Sequence, residues 1–120
     1  YYLFDYLDNL AEAMSIAELV ISRSGASVLG ELTAAGRASI LVPLPIPGVH
    51  QDANASYLVK SGAAEMLDDA ALETRLGPVV KELLGDTRRR EAMSKRAKSL
   101  AMPEAARELS ELLLDVAGVC

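Results

Sequence analysis

Two short apolar runs, Leu19-Val20-Ile21-Ser22 and Ser39-Ile40-Leu41-Val42, constrain the fold of this chain more than any other feature. Each is aliphatic and β-branched with no polar alternation, the pattern of strands covered on both faces. Such strands require helices above and below them. Between the two runs, residues 27–35 are helix formers that stop at Gly36, the residue type best suited to the left-handed turn that closes a helix. Strand, helix and strand so close together predict a right-handed crossover unit. Ala64-Glu65-Met66-Leu67 is a weaker third strand. The full order reads helix, strand, helix, strand, helix, short strand and three helices. This alternation predicts an α/β fold, a Rossmann-like parallel sheet with crossover helices.

The remaining elements follow from caps and breakers. Three prolines prevent residues 43–48 from continuing a strand or starting a helix, so an ordered loop leaves the second strand there. Residues 50–61 read as a helix closing at Gly62, and residues 69–84 as another closing at Gly85. Asp86 caps the next helix, and Pro103 takes the first position of the last one. Leu109, Leu112, Leu113 and Val116 form an apolar stripe on that last helix, either core or a seat for another domain. No repeat or linker divides the chain, so residues 1–120 read as a single domain.

Composition then excludes several function classes. At 120 residues and 51% hydrophobic, the chain is long enough for one compact core. A net charge of −5 argues against a nucleic-acid partner, because neutralising phosphates needs a clustered positive excess. The one basic cluster, Arg88, Arg89 and Arg90 followed by Lys95, Arg96 and Lys98, reads as a solvated helix face. No apolar run approaches the roughly 20 residues that span a bilayer. The single cysteine, Cys120, can form no internal disulfide and reads as an inert tail residue in a reducing compartment.

In open α/β sheets ligands gather outside the carboxyl ends of the strands, and two loops leave that edge with suitable chemistry. In Arg23-Ser24-Gly25-Ala26-Ser27, small residues lead straight into a helix, whose free N–H groups and positive end suit an anion such as a diphosphate. Ser24 and Ser27 serve equally well as ordinary helix caps. Glu31 shares a helix face with Ser27 by its i, i+4 spacing. From there its carboxylate can accept from both vicinal hydroxyls of a ribose, or simply stabilise the start of the helix through the dipole. The second loop presents His50, Gln51 and Asn54, groups able to donate to and accept from sugar hydroxyls. One histidine without a neighbouring Cys or His is no metal site, and no metal or other cofactor is expected.

Taken together these stretches resemble a known family. The match runs through residues 17–27, Glu31-Leu32-Thr33-Ala34-Ala35-Gly36, Ile40-Leu41-Val42-Pro43-Leu44-Pro45, His50-Gln51-Asp52-Ala53-Asn54-Ala55 and Ser61-Gly62-Ala63-Ala64. It covers nearly the whole chain and closely resembles the carboxyl-terminal domain of glycosyltransferase family 28, the MurG family of bacterial cell-wall transferases. Two positions depart from the usual pattern: Ala38 stands where the family has proline, and Val49 where it has an acid before the histidine.

The resemblance implies a GT-B architecture, with this chain as part of the carboxyl-terminal domain. It implies a uridine-diphosphate N-acetylglucosamine (UDP-N-acetylglucosamine) donor and an undecaprenyl-linked muramyl-pentapeptide acceptor, lipid I being converted to lipid II. Gly25, Ala26 and Ser27 would hold the diphosphate, with Ser24 beside them. Glu31 would bind the ribose, and Gln51, flanked by His50 and Asn54, the sugar. Tyr6, Leu7 and Leu10 would bracket the uracil. The acceptor, the membrane contact and the general base would belong to an amino-terminal domain absent from this sequence, and the first glycine-rich strand–loop of the donor domain itself would be missing as well. The expected setting is the cytoplasmic face of the bacterial plasma membrane, and this chain alone is expected to transfer nothing. Two other readings stand beside this one: a UDP-sugar 2-epimerase-like domain, and the donor-binding subunit of a split lipid-linked transferase.

Overall fold

The structure is a computed structural model that describes residues 1–46, 48 and 50–118. Pro47 of the proline loop, the departure at Val49 and the tail residue Cys120 lie outside the described residues. The elements are α1 (Leu10–Ile16), β1 (Val20–Ser22), α2 (Ala26–Ala35), β2 (Ser39–Leu41), α3 (Gln51–Lys60), β3 (Ala64–Met66), a 3-10 turn (Asp69–Ala71), α4 (Leu72–Gly85), α5 (Thr87–Ser99) and α6 (Ala105–Val116). The three strands form a parallel sheet in the order β1-β2-β3. Ile21, Ile40 and Glu65 share one row of the register.

The absence of polar alternation in β2 has the consequence expected of it. Successive side chains point to opposite faces of a strand. Leu41 therefore enters a cluster with Met14, Leu32, Ala55 and Leu58, beneath α1, α2 and α3. Ile40 and Val42 enter a second cluster with Val79, Leu83 and Met93, beneath α4 and α5. The central strand is thus buried on both sides, whereas Ile21 of β1 and Met66 of β3 on the edge strands stay exposed.

Two glycines turn the chain at the opposite, amino edge of the sheet. Gly36 (φ 63°) closes α2, its N–H donating to the Leu32 carbonyl at 2.9 Å, and Gly62 (φ 69°) follows α3. A Cβ on Gly36 would lie 3.1 Å from Lys98 Cδ, and one on Gly62 2.8 Å from Arg96 Nη1, so α5 is laid closely across both turns.

Two sequence expectations are corrected by the structure, and of the two readings of the stripe on the last helix one is excluded. Gly85 does not close α4 with a left-handed turn. It is the last residue of the helix, and Asp86 ends α4 while serving as N-cap of α5, which leaves no residue for such a turn. Pro103 precedes the N-cap Glu104 of α6 and is not the first helical residue. The apolar stripe Leu109, Leu112, Leu113 and Val116 is not core, since every described residue of α6 is exposed.

The expected cap at Asp86 is present, its carboxylate accepting from the Arg89 N–H at 2.9 Å. Asp86→Ala should therefore lower stability by about 1 kcal/mol, the usual cost of losing such a cap. Chemical denaturation with an unchanged midpoint would show that the cap contributes nothing.

Candidate functional site

β1 ends at Ser22, and residues 23–25 carry the chain directly into α2. Gly25 is the N-cap of this ten-residue helix, and no side chain caps it. Neither Ser24 nor Ser27 plays that part: Ser24 precedes the cap, and Ser27 is already inside the helix and exposed. The first N–H groups of α2 are left facing the open edge of the sheet. Gly25 itself has ordinary backbone angles (φ −63°, ψ 155°), and a Cβ built on it meets no atom within 4 Å. Among the described residues, nothing in the packing requires a glycine there. Ala26 and Glu31 are exposed beyond it, and Glu31 forms none of the ion pairs among the described residues.

The second loop is bound tightly to the first. Ser24 is completely buried, and each of its polar groups is engaged by α3. Its hydroxyl donates to the Gln51 carbonyl at 2.9 Å, its N–H donates to Gln51 Oε1 at 3.3 Å, and its carbonyl accepts from Asn54 Nδ2 at 3.0 Å. Gln51 Oε1 also accepts from the Leu44 N–H at 3.0 Å, which fastens the proline loop to the same carboxamide. Gln51 and Asn54 are half-buried at the start of α3, while His50, the N-cap residue, is exposed and makes no capping bond. The structure thus brings Gly25, Ala26, Ser27, Gln51 and Asn54 to one rim, with Ser24 beneath it.

Sequence reasoning overlooked a pair of residues that shapes this rim. The Arg23 guanidinium lies 3.5 Å from both the Val42 and Pro43 carbonyls and pairs with the Asp69 carboxylate beyond β3. It therefore joins the loop after β1 to the carboxyl end of β2 and to the segment after β3. Arg23 stood inside the small-residue loop, but nothing local marked Asp69 as its partner. Asp68 and Asp52 line a cleft with Asp69, Pro43 and Pro45.

The amino-terminal candidates are gathered less closely. Residues 1–9 form neither helix nor strand. Leu10 begins α1 and lines an apolar cavity of about 310 Å³ with Met14, Val20, Ile21 and Val28, beside β1 and the start of α2. Tyr6 is exposed and Leu7 half-buried, and neither lines that cavity. Among the described residues, no three His, Cys, Asp or Glu side chains gather in a metal-binding group. No described helix is long and apolar enough to cross a membrane.

Known proteins are similar to this chain in sequence and in fold. A protein of Xylella fastidiosa (strain M12), described as UDP-N-acetylglucosamine--N-acetylmuramyl-(pentapeptide) pyrophosphoryl-undecaprenol N-acetylglucosamine transferase, is 44% identical over 112 residues, which is 92% of this chain and 31% of the relative. A Halorhodospira halophila protein of the same description is 43% identical over 93% of this chain and 32% of its own length. The crystal structure of Acinetobacter baumannii MurG superposes with a TM-score of 0.85 at 30% identity, over 93% of this chain and 33% of that one. The chain therefore spans about a third of the length of these relatives. Residues 1–109 match the glycosyltransferase family 28 C-terminal domain, and the chain belongs to that family.

Proposed function

We propose that this chain binds UDP-N-acetylglucosamine as the donor half of a MurG-type transferase that converts lipid I to lipid II in peptidoglycan synthesis. The observation that carries this reading is the uncapped start of α2 at Gly25, where the fold needs no glycine and yet leaves free N–H groups at the carboxyl edge of the sheet. A side chain at this position would occupy the space in which a diphosphate meets those groups. The positive helix end and the amides of Gly25, Ala26 and Ser27 would stabilise the charge that grows on the departing diphosphate as the sugar is transferred.

The other groups take the roles that their surroundings permit. Glu31, one turn along and in no ion pair among the described residues, would accept from the ribose hydroxyls. Gln51, with His50 and Asn54 beside it, would face the sugar. The uracil would lie toward Leu10, with Tyr6 and Leu7 closing over it. The lipid-linked acceptor, the general base and the contact with the inner face of the plasma membrane would come from sequence beyond this chain, which is why the isolated chain should not turn over. No nucleic acid takes part.

Ligand-observed NMR tests the reading directly. This chain should bind UDP-N-acetylglucosamine selectively but weakly, with an affinity nearer millimolar than micromolar, or about −4 kcal/mol, because part of the pocket lies outside it. Equal saturation of adenosine diphosphate would argue against a uridine site. Gly25→Asp sharpens the test, because an aspartate at the N-cap satisfies the helix start and changes stability by only a few tenths of a kcal/mol relative to glycine. The same carboxylate repels a diphosphate, so the variant should fold as well as wild type and lose the donor. Retained donor binding in Gly25→Asp would sink the diphosphate assignment.

A further inference from the structure

We propose that Ser24 is a positioning residue that does not touch the donor, and that, held in place by Asn54, it acts by fixing the direction in which Gln51 presents its side-chain amide. The inference rests on the donor-binding reading above and refines the roles within that site.

Ser24 has nothing left to offer a ligand. It is completely buried, and its hydroxyl, N–H and carbonyl are all engaged by Gln51 and Asn54. One N–H of the half-buried Asn54 amide donates to the Ser24 carbonyl and holds the β1–α2 loop against α3. Gln51 Oε1 receives two backbone N–H groups, from Ser24 at 3.3 Å and Leu44 at 3.0 Å. A carboxamide is planar, and pinning its oxygen sets the direction of its nitrogen. An oxygen with two donors has used both lone pairs, whereas the NH₂ group carries two further donors. No hydrogen bond of this NH₂ group occurs among the described residues, while the oxygen that would compete for ligand donors is occupied. Gln51 thus faces the rim as a donor only, suited to the lone pairs of a sugar hydroxyl or carbonyl. Ser24 and Asn54 hold it there while joining the β1–α2 loop to α3. Buried polar groups satisfied in this way form a rigid unit, because breaking one bond strands its partner away from water.

The test is a double-mutant cycle in donor affinity, measured by calorimetry on the intact protein with UDP-N-acetylglucosamine. Ser24→Ala keeps the Ser24 N–H but removes the hydroxyl that holds the Gln51 main chain over it; it and Gln51→Ala should each weaken binding roughly tenfold, and the double variant should match Gln51→Ala within about twofold, since the latch acts through the amide already removed. A loss in the double variant equal to the product of the single losses would mean that Ser24 makes its own contact. Wild-type affinity in Ser24→Ala would mean that the latch does not act on the donor. Either result overturns the proposal. Should Ser24→Ala fail to fold, Asn54→Ala runs the same cycle from the half-buried side.

Gln51→Glu keeps an oxygen for the two backbone donors and replaces only the free NH₂ group. It should melt as wild type does and lose donor affinity about tenfold, and unchanged affinity would refute the donor-only orientation. Wild-type protein that ignores UDP-N-acetylglucosamine would instead overturn the donor-binding reading itself, and the role of the latch with it.

Discussion

Glu31→Ala in the intact protein should weaken donor binding by roughly 2 to 4 kcal/mol, the worth of two hydrogen bonds to a charged acceptor, while leaving thermal melting almost unchanged. The reason lies in what surrounds the side chain. Glu31 is exposed on α2 and takes part in no ion pair among the described residues, so its removal breaks nothing within the chain. If the carboxylate served only the helix dipole, its loss would cost a few tenths to about 1 kcal/mol of stability and nothing in affinity. The two roles therefore move different measurements. A donor titration and a melting curve on both proteins separate them. Normal donor affinity with a lowered melting temperature would refute the ribose assignment. A donor carrying 2′-deoxyribose supplies the control: wild type should lose affinity for it, and Glu31→Ala should lose little more.

The next residue along the chain should give the reverse result. Leu32 is completely buried and packs with Met14, Leu41, Ala55 and Leu58. Leu32→Ala removes most of that side chain and leaves a cavity, a change that typically costs 2 to 5 kcal/mol, about the largest loss a single substitution here should produce. Against a total stability of roughly 5 to 15 kcal/mol, the variant should still fold and melt well below wild type. Its folded fraction should bind the donor with an affinity far closer to wild type than that of Glu31→Ala. A Leu32→Ala protein that melts normally would show that the core under α2 closes over the gap. Consecutive residues on α2 point about 100° apart, and that rotation alone assigns one to the ligand and the other to the core.

The parts of the fold that were legible in the sequence were those governed by local chemistry. The continuous apolar runs became β1 and β2 with ends displaced by no more than one residue, and Gly36 took the left-handed angles that its place after a helix demanded. The helix ends that were misread involve competition between neighbours. Gly85 looked like a terminator, but Asp86 can end one helix and cap the next at a single residue, and this arrangement keeps Gly85 helical. The stripe on α6 was visible as amphipathicity, and periodicity does not say whether a partner is present to cover it. The candidate site divides in the same way. That two loops would meet at the carboxyl edge follows from parallel topology. That Gln51 Oε1 would be occupied by Ser24 and Leu44 does not, because those bonds depend on the path of the proline loop. The pairing of Arg23 with Asp69 joins residues 46 apart in the chain, and only the packing of α3 and β3 between them brings them together.

The brevity of the strands carries a practical consequence for engineering. Three residues of parallel strand measure about 10 Å, so the glycine turns and the ligand rim are separated by little more than the distance at which substitutions begin to act independently. The two edges nevertheless draw on different materials. Backbone turns, the aliphatic stem of Lys98 and the guanidinium end of Arg96 make up one, and hydrogen-bonded polar groups make up the other. Stabilising changes are therefore best sought along α5, where they can raise tolerance to heat without disturbing the rim. The margin gained could then absorb the losses that come with redesigning the specificity of the loops around Gly25 and Gln51.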